Sequence, residues 1–172
     1  VGSEMCIRDR ISEEKHDPAW MREFRLKSLE IYNNMQVPDW GPSIDGLNMD
    51  NIATYVRANT NMKGDWKDVP EEIKDTFDRL GIPKAERESL AGVGAQYDSE
   101  LVYHNVRKEV ADQGVVYTDM ESALTGEYAD MVHEHFMKLI TPQDHKFAAL
   151  HGAVWSGGSF VYVPCLLYTS PS

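Results

Sequence analysis

The sequence of 172 residues predicts an α+β fold in which a helix-rich domain with a few short strands passes into a final strand. Asp17-Pro18 favours the start of a first long helix, because proline suits the first helical turn. The apolar face of that helix is formed by Trp20, Phe24, Ile31 and Met35. A second helix follows Val69-Pro70, with acidic residues in its first turn. Between residues 146 and 164, helical spacing of apolar residues gives way to strand alternation after Ser156-Gly157-Gly158.

Shorter elements are expected between these three stretches. They are a helix at 83–90, a tight bend at 92–94, a strand at 96–103, a helix at 105–113, a strand at 115–117 and a helix at 127–138. Asp119 is expected to cap the helix that follows it. Residues 52–56 fit either a short strand or a helical turn, and the polar residues 59–64 predict an exposed loop.

The two ends of the chain predict a shared origin outside the protein. Residues 165–172 can be back-translated into DNA whose reverse complement, read in its third frame, encodes residues 3–9. That DNA is similar to a transposase adapter used in sequencing libraries, so we expect residues 1–10 and 165–172 to be adapter-derived and to lie outside the fold. Residues 11–140 then form the helix-rich domain, and residues 141–164 begin a further one. Cys6 and Cys165 both lie in the end segments, so the sequence predicts neither a disulfide nor a cysteine metal site.

The charge pattern excludes several classes of partner. The formal net charge is −11 at pH 7, without a basic stripe, which argues against binding to nucleic acid or to an anionic membrane surface. The sequence has no long apolar run and no signal-peptide pattern. We therefore expect a cytoplasmic protein, or one from an organellar stroma if the source carries plastids.

Long stretches of the chain closely resemble the SufB/SufD family of iron–sulfur cluster assembly scaffolds of the SUF system. They are ISEEKHDPAWMREFRLKSLEIY, VPEEIKDTFDRLGIP, SLAGVGAQYDSE, KFAAL and AVWSGGSFVYVP, in collinear order from residue 11 to residue 164. The resemblance implies a non-catalytic scaffold subunit that acts with the ATPase SufC and the paralogue SufD. It also implies that residues 141–164 are the start of a long β-helical domain, truncated here.

The same resemblance places the cluster ligands and the ATPase-binding surface mainly beyond residue 164. We therefore assign no catalytic, cofactor-binding or metal-binding residue, and expect no iron–sulfur cluster on this segment. The flavin association of the family is left unassigned. Family members usually have asparagine where His145 and His151 stand, so the role of these two histidines is not inherited from the family, and capping or packing suffices for them.

Two alternative functions follow from the residues themselves. Asp130 and His133 would share one helical face, as a bidentate metal pair needs, and together with a distant acidic group they would serve a small metal-dependent enzyme. A free-standing adaptor module would instead need its final strand covered within this chain. We expect that strand, residues 159–163, to lack here the residues that should pair with it and cover it, so its apolar residues predict self-association along its edge. These residues are Phe160, Val161, Tyr162 and Val163.

Overall fold

The computed structural model describes residues 10–49, 52, 54–55, 71–81, 92–97, 100–106 and 108–164. Its elements in chain order are α1 (Ser12–Glu14), α2 (Ala19–Asn34), α3 (Glu71–Arg79), β1 (Gly92–Tyr97), β2 (Glu100–Val106), α4 (Lys108–Ala111), β3 (Val116–Asp119), α5 (Met120–Thr125), α6 (Ala129–His135), α7 (Lys146–Val154) and β4 (Ser159–Tyr162). This mixture of helices and short strands confirms the predicted α+β class, whereas the β-helical continuation stays a prediction.

The chain forms two compact units. The first comprises Val1–Val56 and Leu124–Ser156, and the second comprises Arg57–Ala123 and Gly157–Ser172. The expected division between residues 140 and 141 stays a prediction about the longer protein.

In the first unit, α2 packs against α7. The two helices run antiparallel: Arg25, near the start of α2, donates to the carbonyl of Trp155 beyond the end of α7, and Lys146 Nζ donates to the carbonyl of Met35 at the other end. The buried residues of α7 are all small, namely Ala149, Gly152 and Ala153. A Cβ atom on Gly152 would lie only 2.8 Å from Ser28 Oγ, so glycine at this position permits the close approach of the two helices.

The helix predicted after Asp17-Pro18 is confirmed, but its deepest face is not the predicted one. The buried residues of α2 are Met21, Arg25, Ser28 and Leu29. The predicted apolar residues Trp20 and Phe24 are only half-buried, because they pack on a neighbouring face against aromatic rings. Trp20 stacks on His133 with ring centroids 4.4 Å apart, and Phe24 meets Phe136 edge-on at 5.4 Å. Leu29 closes the core together with Ile11 and Ala153.

The second unit contains two antiparallel strand pairs among its described residues. β1 pairs with β2 from Gly92↔Val106 to Tyr97↔Glu100, and β3 pairs with β4 from Val116↔Tyr162 to Asp119↔Ser159. The predicted helix-to-strand passage at 146–164 and the predicted strand near 115–117 are confirmed by α7, β4 and β3. Asp119 caps α5 as predicted, since its carboxylate accepts a 2.8 Å hydrogen bond from the amide of Ser122.

Four shorter predictions are wrong or only partly right. The glycines at 92–94 lie in β1 and form no bend. Of the strand expected at 96–103, residues 96–97 end β1 and residues 100–103 begin β2. The helix expected at 105–113 is reduced to α4 because β2 extends to Val106. The reason is pairing between β1 and β2, which local propensity does not reveal. The helix expected at 127–138 is shorter too, since Phe136 is the C-cap of α6 and Met137 has a left-handed φ of 48°.

The helix expected at 83–90, the loop at 59–64 and the end segments, apart from Arg10, lie outside the described residues. In the undecided stretch 52–56, the described residues Ile52, Thr54 and Tyr55 are neither helical nor paired as a strand. The helix predicted after Val69-Pro70 is confirmed over Glu71–Arg79, and Gly81 follows it with a left-handed φ of 71°.

Candidate functional site

A buried ion pair is the most elaborate polar arrangement in the first unit. The side chain of Arg25 is fully buried, and that of Asp17 is 1% exposed. Arg25 Nε donates to Asp17 Oδ2 at 2.6 Å, and Ser12 Oγ donates to the same oxygen at 2.9 Å. The Asp17 carboxylate therefore serves the ion pair and does not cap α2, whose N-cap is Pro18 without a side-chain cap bond.

The guanidinium of Arg25 also binds the end of α7. Its Nη1 donates to the carbonyl oxygens of Trp155 at 2.6 Å and Ala153 at 3.3 Å, and its Cζ lies 4.6 Å from the centroid of the Trp155 ring. A cation is favoured there, because the free carbonyls at a helix C-terminus carry partial negative charge. We call Asp17, Arg25 and Trp155 the arginine clamp.

The chemistry of the clamp is structural. The donors of Arg25 are directed at one carboxylate and two main-chain carbonyls, so the guanidinium joins the turn before α2 to the end of α7. His16, with a left-handed φ of 52°, turns the chain immediately before Asp17. Trp155 Nε1 is the one buried side-chain N or O atom among the described residues without a hydrogen-bond partner. The contact of its ring with the guanidinium offsets part of that cost.

The residues considered for a metal site are not gathered into one. Asp130 is exposed, and His133 uses its ring to stack on Trp20. Across the described residues, no group of three or more His, Cys, Asp or Glu side chains could hold a metal ion.

His145 has the capping role that was considered for it. It is the N-cap of α7, and its Nδ1 accepts a 3.0 Å hydrogen bond from the amide of Phe147. An accepting Nδ1 places the ring proton on Nε2 in the neutral tautomer. Trp40 lies edge-on to the His145 ring at a centroid distance of 5.6 Å. His151 is exposed in the last turn of α7.

The final strand is paired along one edge but remains partly uncovered. β4 pairs with β3 inside the chain, which corrects the expectation that it lacks a pairing partner. Nevertheless, Val161 is 60% exposed and Val163 is 38% exposed. The strand is therefore fixed in register while part of its apolar surface faces solvent.

None of the described helices is both long and apolar enough to cross a membrane.

The chain is similar to bacterial iron–sulfur cluster assembly proteins. It is 54% identical over 158 residues to the iron-sulfur cluster assembly protein SufB of Bacillus subtilis, a match that covers 92% of this chain and 34% of that protein. It is 49% identical over 162 residues to iron-sulfur cluster assembly SufBD family proteins of Staphylococcus haemolyticus and Staphylococcus aureus, covering 94% of this chain and 34% of each. The chain thus spans 34% of the length of the curated relatives it matches. No family model matches it.

Proposed function

We propose that this chain, a segment of the SufB/SufD family by sequence similarity, is part of a scaffold subunit for iron–sulfur cluster assembly. The observation that carries the proposal is the 54% identity to SufB of Bacillus subtilis over 92% of the chain. Because the match is nearly continuous across both units, it supports a shared fold and a shared place in the longer protein.

The arrangement of charged side chains supports a scaffold role. Asp17 and Arg25 neutralise each other and hold α2 to the end of α7, and His145 caps a helix. Buried polar groups that are satisfied in this way stiffen a domain and give it one defined shape. A rigid segment of this kind suits a subunit that positions other domains.

The partners and the cluster belong to the same proposal. The scaffold would act with an ATPase of the SufC type and a paralogue of the SufD type in the cytoplasm. The nascent cluster would be held by parts of the longer protein beyond residue 164, and residues 141–164 would lead into its β-helical domain. The exposed apolar residues Val161, in β4, and Val163, just after it, support such a continuation.

A segment exchange tests the function. Residues 11–164 replace the matching segment of SufB in Bacillus subtilis cells depleted of their own SufB, and the activity of an iron–sulfur enzyme is measured. We expect the chimera to restore that activity, whereas a chimera carrying Arg25→Met, made at the same level, should restore less. A chimera that is soluble and abundant but inactive would refute the proposal.

One observation favours a free-standing adaptor as the second candidate: β4 finds its pairing partner, β3, within the chain. An adaptor should sediment as a single monomeric species and should show slow amide hydrogen exchange along β4. A scaffold segment should self-associate or show fast exchange there, because Val161 is 60% exposed.

A further inference from the structure

The connection between α6 and α7 displays two consecutive large apolar residues. Leu139 is 98% exposed and Ile140 is 67% exposed, and no other large hydrophobic residue in the described part of the chain is as exposed as Leu139. Single exposed apolar residues are common on protein surfaces, but adjacent, almost fully exposed ones beside a cavity mark an interaction site.

The connection that carries Leu139 and Ile140 is fixed at its α6 end. Phe136, the C-cap of α6, packs its ring against Phe24 at 5.4 Å and Trp155 at 5.1 Å. Met137 follows with a left-handed φ of 48°, and its sulfur lies 3.3 Å from where a Cβ of Gly152 would stand. A left-handed conformation is unfavourable for methionine and persists only where the surrounding structure fixes it.

The same connection is also fixed at its α7 end. Asp144 accepts a hydrogen bond from the amide of Thr141, and its own amide donates to the carbonyl of Thr141 at 3.1 Å. His145 then caps α7. Leu139 and Ile140 thus lie between two anchored turns, so their exposure is a defined feature of the connection.

A cavity of about 510 Å³ lies beside this pair. Its described lining residues are His135, Met137, Lys138, Leu139, Ile140, Ala148 and His151. Four of them are apolar, the other three are one lysine and two histidines, and no carboxylate is among them. This is unusual for a chain with a net charge of −11. We call this surface the 139–140 groove.

We propose that the 139–140 groove binds an amphipathic helix of a partner protein whose polar face is acidic. Apolar side chains at helical spacing would cover Leu139 and Ile140, and carboxylates on the flanks would face Lys138. A second copy fits less well, because a symmetric contact would set two grooves against each other that both carry Lys138 and have no carboxylate among their described lining residues. The proposal does not depend on a role in cluster assembly.

The experiment uses the whole 172-residue chain and a defined probe. The probe is a fluorescein-labelled helical peptide of about 18 residues with leucine at positions i, i+3, i+4 and i+7 and glutamate elsewhere. Two control peptides have lysine in place of glutamate, or the same composition with the leucine spacing scrambled. Binding is measured by fluorescence anisotropy, and circular dichroism shows that each protein variant is folded.

We expect saturable binding of the acidic peptide, at least about tenfold tighter than that of either control peptide. Leu139→Ser combined with Ile140→Ser should weaken this binding by about tenfold or more. Leu47→Ser is the matched control: Leu47 is 48% exposed but lies outside the groove, so binding should not change. Lys138→Glu should move the preference from the acidic towards the lysine peptide.

Several results would overturn the proposal. They are no saturable binding of the acidic peptide, equal binding of the lysine peptide, and equal weakening by Leu47→Ser. Self-association in sedimentation that Leu139→Ser abolishes would assign the groove to a second copy instead. Loss of peptide binding in a longer protein that contains this segment would show that its own chain covers the groove.

Discussion

Replacing Arg25 by methionine should destabilise the first unit more than any surface substitution. Methionine fills much of the space but leaves the Asp17 carboxylate, 1% exposed, without its cation. It also removes the donors that reach the carbonyls of Ala153 and Trp155. Breaking a buried ion pair by removing one partner costs about 3–5 kcal/mol. That loss is a large share of the roughly 5–15 kcal/mol that stabilises a typical domain.

The assay is urea denaturation followed by circular dichroism at helical wavelengths. The matched control is Arg22→Met, at an exposed position of the same helix, which should change the free energy of unfolding by less than about 0.5 kcal/mol. Adding Asp17→Asn to Arg25→Met should restore part of the loss, because it removes the buried charge. If Arg25→Met and Arg22→Met have the same free energy of unfolding, the clamp does not stabilise the fold as argued.

Three further predictions concern single positions. Gly152→Ala should lower the free energy of unfolding by about 1–3 kcal/mol in the same urea assay, because its Cβ would lie 2.8 Å from a neighbouring hydroxyl; unchanged stability would show that the helices separate freely. Hydrogen bonds from the backbone and side chain of Thr141 lower the pKa of Asp144 below its ordinary value of 3.8, so the stabilisation is present above that value and lost as the pH falls through the lower folded pKa. Thr141→Ala should raise this pKa only part-way in a carboxyl NMR titration, because the backbone donor remains; an unchanged pKa would contradict the side-chain contribution. Lysine at Val161 and Val163 should reduce self-association in sedimentation without loss of helical signal, since both are exposed; an unchanged sedimentation profile would contradict a role for this strand.

The long helices and the last strand were predictable because their signals are local. Pro18 precedes α2, Gly81 follows α3, and alternation beyond Gly158 marks β4. β1 gave no such signal. The local preference of Gly92 and Gly94 favours a bend, and only pairing with Val106 and His104 makes this stretch a strand. The sequence of a segment does not show which partner strand it will pair with.

The arginine clamp was not predictable for a related reason. An arginine on an amphipathic helix is normally solvated, and the sequence around Arg25 is rich in other charges. Its burial depends on Asp17, 8 residues earlier, and on the Trp155 carbonyl, 130 residues later. Only the structure shows that Pro18 is the N-cap of α2, which leaves the neighbouring Asp17 carboxylate available to Arg25.

The hydrophobic pattern of α2 predicts the wrong face as the most deeply buried one, because this helix has two adjoining buried faces. Met21, Arg25, Ser28 and Leu29 are spaced as one helical face and pack towards α7, although two of them are polar. Trp20 and Phe24 each stand one residue before Met21 and Arg25, so they lie on the adjoining face. They pack against the rings of His133 and Phe136. A pattern that seeks one apolar face selects the aromatic one, because the face with the closest packing contains an arginine and a serine. The close approach of the two helices at Ser28 and Gly152 is made by small residues that carry little hydrophobic signal. Arg25 and Ser28, which are buried on the face towards α7, are therefore of residue types that predict burial least.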